Sequence, residues 1–461
     1  MSRSVTRRKF LQHTATASAI AFPAVMRSQP AGTPTPNQRL NVAIIGAGGR
    51  GGAAVQAMKD ENIVAICDVD EDRCNSSLKS FREKYPEEAA RHASTARFND
   101  YRKMFDQLGN KIDAVTVSTP DHMHFPAAMT AMSLGKHVFV EKPLAHTVSE
   151  ALQLAKKARE TKLVTQMGNQ GHAKEGPRIL KEWVDAGVLG EVREVVSWTD
   201  RPFFPPWRLP IGSFKKPDHS KMIPVVPKGL NWDAWLGVAQ ARAYDPAYMP
   251  WQWRGWWDFG TGAFGDVACH IMDGAYWALN LGMPTAVEAM STQATEVASP
   301  LASVVTNYFP ARGQMPPVKY TWSDGGLMPP LPKELEFGRD LDREAGTLLF
   351  GSKATVLCSF YYDTVRIIPE AKMKEMTPSL PAKTIPRIKG DHFAEWVQGC
   401  KGGPKPGSNF EYSGPFTAAV LLANVAIRSR RRIEWDAKAV KVTNVPDANQ
   451  FITKEYRPGW F

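Results

Sequence analysis

Cysteine is scarce in this chain. The 461 residues hold five, an odd number scattered as Cys67, Cys74, Cys269, Cys358 and Cys400, which argues against a disulfide-stapled scaffold. Long apolar runs are missing too: no stretch approaches the ~20 residues that span a bilayer, so no membrane insertion is expected. Acidic residues are absent from positions 1–36, where Arg3, Arg7, Arg8, Lys9 and Arg27 carry +5. The chain as a whole has 57 Lys plus Arg against 46 Asp plus Glu, a formal +11, so the remaining residues keep only +6. Such a mild excess gives no reason to expect a nucleic-acid partner. What is present is ordinary: 43% hydrophobic and 22% charged residues describe a globular protein of two or three domains.

The acid-free segment has its own pattern. Thr6-Arg7-Arg8-Lys9-Phe10-Leu11 sets paired arginines before a short apolar, small-residue stretch from Leu11 to Val25. A charged head and a short apolar segment make an export signal, and the arginine pair points to the twin-arginine route, which carries folded proteins. Residues 1–36 are therefore expected to be signal peptide and linker, with a periplasmic or other extracytoplasmic destination.

Asn41 to Ile45 is a β-branched apolar run of the kind that forms a buried parallel strand. It ends in Gly46-Ala47-Gly48-Gly49-Arg50-Gly51, and Ala53 to Met58 reads as helix. This is G-x-G-x-x-G between strand and helix: Gly46 allows the turn, Gly48 lets backbone approach a pyrophosphate, and Gly51 lets the helix pack closely. The amides of the loop, Gly49 and Arg50 included, then face the anion. The next strand, Ile63 to Cys67, ends in Asp68, 22 residues beyond Gly46. An acid there accepts hydrogen bonds from a ribose diol and repels a 2′-phosphate, so NAD is expected rather than NADP.

Strands at Asp113–Val117, His137–Val140 and Leu163–Gln166 alternate with helices at Glu71–Tyr85, Asp100–Leu108, Phe125–Leu134 and Val148–Thr161. That alternation implies an α/β Rossmann domain over 37–166 with a doubly wound parallel sheet. Ligands bind such sheets at the carboxyl ends of the strands. Besides the glycine loop and Asp68, those ends are Ser118-Thr119-Pro120, Glu141-Lys142-Pro143 and Gln166 to Gln170, with His124 flanking the cofactor. Asp121 reads as a helix cap. His122 and His124 at i, i+2 without a further ligand make a poor metal site, so no metal is expected.

Lys142 is placed where the nicotinamide half of a dinucleotide lies, and a cation there polarises a substrate oxygen during hydride transfer. Far downstream, Gly265-Asp266-Val267-Ala268-Cys269-His270 begins a helix with Asp266 and His270 as i, i+4 neighbours. A histidine backed by a carboxylate is a candidate general base whose pKa the acid raises. Asp273, three residues on, is a candidate partner for His270.

Together these elements resemble the Gfo/Idh/MocA family of glucose–fructose oxidoreductase, inositol dehydrogenase and MocA-like proteins. The matching segments are GAGGRG at 46–51, Asp68, STPDHMH at 118–124, EKP at 141–143 and GDVACHIMD at 265–273, and the resemblance runs from about Leu40 to about Trp435. It implies that Lys142, Asp266 and His270 form the catalytic group. It also implies an α+β second domain with an open, largely antiparallel sheet, here at 167–440, followed by a tail at 441–461. Its strands include Val192–Trp198, Ala286–Ser291, Ala302–Phe309, Lys319–Trp322 and Ala354–Tyr361. Relatives use the exposed sheet face to form dimers or tetramers, so a homo-oligomer is expected. The chain departs from relatives that carry an arginine after the sixth strand and reads Gln166 to His172, which makes Gln170 and His172 candidate substrate contacts.

Eight of the 14 tryptophans fall between positions 198 and 257, within an aromatic-rich insert at 198–260. Aromatic faces stack on the C–H faces of sugar rings. Most of these rings are expected in a subdomain core or an oligomer contact. Trp253, Arg254, Trp256 and Trp257, closest to Asp266, are candidates for the substrate pocket. The basic run Arg428 to Arg432 reads as a solvated helix cap. The expected function is hydride transfer between a sugar, glycoside or polyol and tightly bound NAD. The alternative is an NAD-dependent glycosidase or lyase that oxidises the sugar transiently with no net redox change.

Overall fold

The parallel alternation in the first third of the chain closes into a single sheet. In the computed structural model, which describes residues 39–202, 225–292 and 294–461, β1 (Asn41–Ile45), β2 (Asn62–Cys67), β3 (Ala96–Phe98), β4 (Ala114–Val117), β5 (His137–Val140) and β6 (Thr165–Met167) are all parallel in the order β3-β2-β1-β4-β5-β6. The expected signal segment and Trp207 lie outside the described residues. Val42 to Ile45 are buried on both faces of the sheet, which is why β1 is an unbroken apolar run. The strand order reverses between β1 and β4, and that break opens the crevice at the strands' carboxyl ends. Local signals start the flanking helices. Asp100 accepts from the Arg102 amide, and Thr147 and Glu150 form a reciprocal capping box ahead of helix Val148–Thr161.

The second sheet has nine strands: β7 (Val192–Thr199), β8 (Ala286–Ser291), β9 (Ser303–Phe309), β10 (Val318–Ser323), β11 (Ala345–Gly351), β12 (Thr355–Ser359), β13 (Val365–Ile368), β14 (Ile433–Asp436) and β15 (Lys441–Val442). Their order is β13-β12-β11-β7-β10-β9-β8-β14-β15, antiparallel except where β7 and β10 run parallel. The five expected strands are all present. Strand β11 escaped the sequence reading because Gly346 interrupts it, and the structure gives the reason: a Cβ at Gly346 would collide with the indole of Trp198, which is fully buried against it.

Three expectations need correction. The chain does not divide cleanly at 167–440, because two late helices return to the dinucleotide sheet. In helix His392–Cys400, Phe393 stacks on Phe139 of β5 with ring centroids 4.4 Å apart, and Trp396 meets the same ring at 5.8 Å. Helix Phe410–Ser429 runs along helix Val148–Thr161, with Gly414 seated on Ala155. The tail beyond 441 is not loose either. It adds β15 and folds back onto the dinucleotide domain, where Trp460 is buried. Nor is the basic run simply solvated: Arg428 lies 4.2 Å from the Phe451 ring and 5.3 Å from that of Trp257, and burial lowers its pKa to about 10.

The aromatic-rich segment has its own core, which takes in Trp232, Trp235, Trp253 and Trp256 of its eight tryptophans. Trp235, Leu236, Tyr248, Trp253, Trp256 and Phe259 pack together, and Trp232 stacks on Trp235 at 4.8 Å and 12°. This small core anchors the segment over the crevice of the first sheet.

Candidate active site

The glycine loop is shaped by close contacts rather than by flexibility. A Cβ on Gly46, which has φ of +79°, would press on the Ser118 carbonyl, and a Cβ on Gly51 would collide with the Gly46 carbonyl. The loop therefore folds tightly between β1 and β4, and the helix beginning at Gly51 starts directly beneath it. Asp68 locks it from the side: its Oδ2 accepts from the Ala47 and Gly48 amides at 2.7 and 2.8 Å, and its Oδ1 accepts from the Asp70 amide at 2.9 Å. Burial raises the Asp68 pKa although these amides pull it down.

A cavity of about 1220 Å³, including solvent at its mouth, runs along the strand ends. One wall holds Gly46, Gly48, Gly49, Arg50, Asp68, Ser118, Thr119, Pro120, His124, Glu141 and Lys142, so the expected cofactor residues converge, with Gly51 just behind as a packing residue. The facing wall comes from Ala234, Trp235, Met249, Pro250, Trp251, Trp253 and Arg254, and Trp460 closes one end. The chemistry of this lining fits a dinucleotide. An elongated slot passes a side-chain-free loop, an acid stands at the ribose position, and a cation stands at the far end. His124 is buried with its ring nitrogens 2.7 Å from Pro143 O and 2.9 Å from Thr119 O, so it ties the loops after β4 and β5 together. Arg50 bridges the loops after β5 and β6, donating to Glu141 Oε1 and Gln170 Oε1, each at 2.8 Å.

At the nicotinamide end, Lys142 leaves β5 and its Nζ lies 2.6 Å from both Oδ1 and the carbonyl oxygen of Asp266. Arg254 Nε is 3.5 Å from the same Oδ1, and its guanidinium sits between the rings of Trp251 (3.9 Å) and Trp253 (4.2 Å). Burial alone would raise the Asp266 pKa. The charges of Lys142 and then Arg254 outweigh it and hold the carboxyl far below the usual range. His270 follows one turn along helix Gly262–Ile271. It is buried, lies outside the cavity lining, faces Tyr361 at 5.1 Å, and its Nδ1 has no hydrogen-bond partner. Here the sequence expectation fails: burial, then the Lys142 charge, hold the His270 pKa well below that of a free imidazole, and the upward pull of Asp266 does not compensate.

Of the expected substrate-side residues, Gln170, His172, Trp256 and Trp257 fall outside the cavity lining as His270 does, and one expected pairing is replaced. His172 is 1% exposed, with Nδ1 2.9 Å from Asp273 Oδ2 and its ring between Trp277 and Tyr412. Tyr412 donates to the other Asp273 oxygen at 2.7 Å, so Asp273 serves His172 and not His270. Trp257 donates to Thr295 O at 3.1 Å and faces a separate cavity beside Arg428. Trp256 belongs to the aromatic core, whereas Trp253 and Arg254 do line the cofactor cavity. Asp121 does not cap a helix. It lines the cavity, accepts from the Thr261 hydroxyl at 2.7 Å, and burial pushes its pKa up to about 7. Trp235, Trp251 and Trp460 were missed, since nothing local in the sequence ties them to the glycine loop. Among the described residues no three His, Cys, Asp or Glu side chains converge as metal ligands. No described helix is long and apolar enough to cross a membrane.

Two family descriptions match this chain: an oxidoreductase family NAD-binding Rossmann fold over residues 40–169, and the oxidoreductase family C-terminal alpha/beta domain over 179–314, together more than half of the sequence. The chain belongs to the Gfo/Idh/MocA oxidoreductases. An alpha-N-acetylgalactosaminidase of Shewanella oneidensis is 32% identical over 158 residues, 33% of each chain, so the match spans about a third of the length of such curated relatives. Among solved structures, the WlbA dehydrogenase of Bordetella pertussis in complex with NADH and UDP-GlcNAcA superposes with a TM-score of 0.56 at 17% identity, over 86% of this chain and 99% of that one. The aldose–aldose oxidoreductase of Caulobacter crescentus superposes with a TM-score of 0.54 at 17% identity, over 86% and 100%. For a Gfo/Idh/MocA chain the slot is an NAD site. The bound dinucleotide supplies a carbon centre that accepts or returns hydride.

Proposed function

We propose that this protein moves hydride between a carbon-bound hydroxyl of a sugar, glycoside or polyol and its NAD. The observation that carries the reading is the Lys142 ammonium held 2.6 Å from Asp266 at the end of the cofactor slot. Asp266 stays ionised and holds Lys142 in one position. Lys142 directs an N–H at the substrate oxygen and stabilises negative charge there as the C–H bond breaks. His270, one turn along the helix from Asp266 and just behind the cavity lining, is kept neutral by burial and is the group assigned to take the hydroxyl proton. Trp251 and Trp253 offer apolar faces beside the reacting carbon, with Arg254 fixed between them. The test is an assay of purified protein against a panel of sugars, glycosides and polyols, following cofactor absorbance and a keto product. No keto product and no reduction of bound cofactor with any of them would reject the reading.

Transient oxidation with no net redox change is the second reading, favoured by the likeness to the Shewanella alpha-N-acetylgalactosaminidase. Aryl glycosides separate the two: released phenol without accumulated NADH indicates cleavage, and a stable keto sugar indicates net oxidation.

The Thr6–Leu11 pattern supports twin-arginine export, and an extracytoplasmic enzyme without a nicotinamide pool needs a cofactor that stays bound. Dinucleotide released by denaturing freshly purified protein is the check. Homo-oligomerisation through the open sheet belongs to the same reading and is measured by light scattering.

A further inference from the structure

The dinucleotide domain supplies only one wall of its own cofactor slot. At the adenosine end, past Asp68, the lining continues through Asn99 and Tyr101 and is completed by Trp460, from the last residues of the chain. Trp460 is 7% exposed. The Arg102 guanidinium lies 3.7 Å from the indole centroid, Arg102 Nη1 donates to Gly459 O at 2.5 Å, and the Tyr101 hydroxyl lies 3.5 Å from Trp460 O.

The same segment is fastened on the opposite side of the slot. The Arg457 amide and Nε donate to Val238 O and Gly237 O, each at 2.9 Å, and its Nη1 pairs with Asp233 Oδ1 at 2.5 Å. Those partners sit next to Ala234 and Trp235, which form the facing wall. Residues 456–461 are thus tied to both walls. Simple tail packing would need only one of these attachments and would not place an indole in the lining of the slot.

We propose that residues 456–461 are a strap that retains the dinucleotide by its adenosine half, with Trp460 as the residue that closes on it. This rests on the resident-cofactor reading and names the element responsible. The strap must detach before the adenosine end can leave, so dissociation is limited by the Arg457 and Arg102 attachments as well as by contacts to the nucleotide itself.

The full-length protein is loaded with NADH, freed of excess, and mixed with a large excess of NAD while NADH fluorescence is followed. Trp460→Ala releases NADH at least about tenfold faster than the wild type, and Trp460→Phe restores most of the difference, as expected for loss of one desolvated aromatic contact; Asp233→Ala, which removes one exposed ion pair, releases it about two- to fivefold faster. Trp460→Ala weakens binding of ADP-ribose by a similar factor and leaves that of nicotinamide mononucleotide unchanged, a split that general destabilisation would not produce. Asp233→Ala leaves the indole in place, so it reports on the strap even if Trp460→Ala folds poorly. Release rates equal to wild type in folded Asp233→Ala and Trp460→Ala proteins would overturn the proposal. A wild-type protein purified without dinucleotide would instead reject the resident-cofactor reading, and the strap would still be judged by the relative release rates of loaded NADH.

Discussion

Lys142 and Asp266 stand 124 positions apart in sequence and meet at 2.6 Å, joining the two domains across the mouth of the cofactor slot. Each is partly exposed, 17% and 18% by side chain, so the pair faces the space where substrate would lie rather than the core. An ion pair in that setting adds little to stability. Its value lies in holding one ammonium proton on a fixed line.

Lys142→Ala is expected to lower kcat by about 10²-fold or more, the range typical of a lost proton-directing group. NAD binding should persist, because the glycine loop and Asp68 are untouched. Fluorescence titration with NADH alongside steady-state rates separates the two quantities. Near-normal turnover in this variant would remove Lys142 from the mechanism.

Asp68 should set the choice of dinucleotide. It accepts three backbone amides and closes the ribose side of the slot, with Arg73 lining the cavity beside it. Asp68→Ser removes the charge that repels a 2′-phosphate and leaves the arginine. The ratio of NADP to NAD affinity is expected to rise at least about tenfold, with NAD itself binding more weakly. Direct titration of both dinucleotides measures the ratio.

Asp121 should make the protein less stable as the pH rises from about 4 to about 7. An unfolded Asp titrates near 4, and burial pushes this carboxyl to about 7 in the folded chain. The folded state therefore holds a proton that the unfolded state has lost between those values. Stability present below about pH 4 declines as pH rises and levels off above about 7, by roughly 2–4 kcal/mol. Asp121→Asn keeps an acceptor for Thr261 and removes the titration. Its melting temperature should exceed that of the wild type at pH 8 and approach it at pH 5. Parallel pH dependences in the two proteins would refute the assignment.

His172 should matter for folding and not for substrate. Its buried ring is held by Asp273 and lies between Trp277 and Tyr412. His172→Ala leaves a buried carboxylate short of a donor and opens a cavity, a loss of about 2–4 kcal/mol. Denaturant midpoints should fall, while KM for substrate at low temperature stays near wild type.

The parts of this site that were legible share one property: their signals are local. The glycine motif, the acid ending β2 and the lysine ending β5 each sit at a junction that apolar strand runs make visible. Asp266 and His270 lie on one helix, where spacing alone places them side by side. Proximity in sequence misled for Trp257, because adjacent residues in a turn point apart: Trp256 enters the aromatic core and Trp257 faces Arg428. His172 was assigned from its place after β6, but its ring is buried between Trp277 and Tyr412 and held by Asp273. The direction of the His270 shift was misjudged because a carboxylate neighbour is visible in sequence and desolvation is not. Trp460 was beyond reach for a different reason. Its partners, Tyr101 and Arg102, lie more than 350 positions away, and only the folded chain brings them together.

Arg254 offers the sharpest test of the facing wall. Its planar guanidinium is stacked between Trp251 and Trp253 and lies 3.5 Å from Asp266, so it shares that carboxylate with Lys142. A lysine at the same position keeps the charge but cannot stack on two indoles or offer a flat fork of donors. Arg254→Lys should therefore raise KM for the substrate, because Trp251, half exposed at the mouth, loses the group that orients it. It should also lower kcat, since a flexible ammonium fixes Asp266, and through it Lys142, less firmly than the stacked guanidinium does. A combined loss of about 10-fold or more in kcat/KM is expected, equivalent to about 1.4 kcal/mol of transition-state stabilisation. NADH affinity, measured separately, should change less. If Arg254→Lys behaved like wild type in both kcat and KM, charge alone would explain the residue, and the stacked arrangement would have no part in substrate binding.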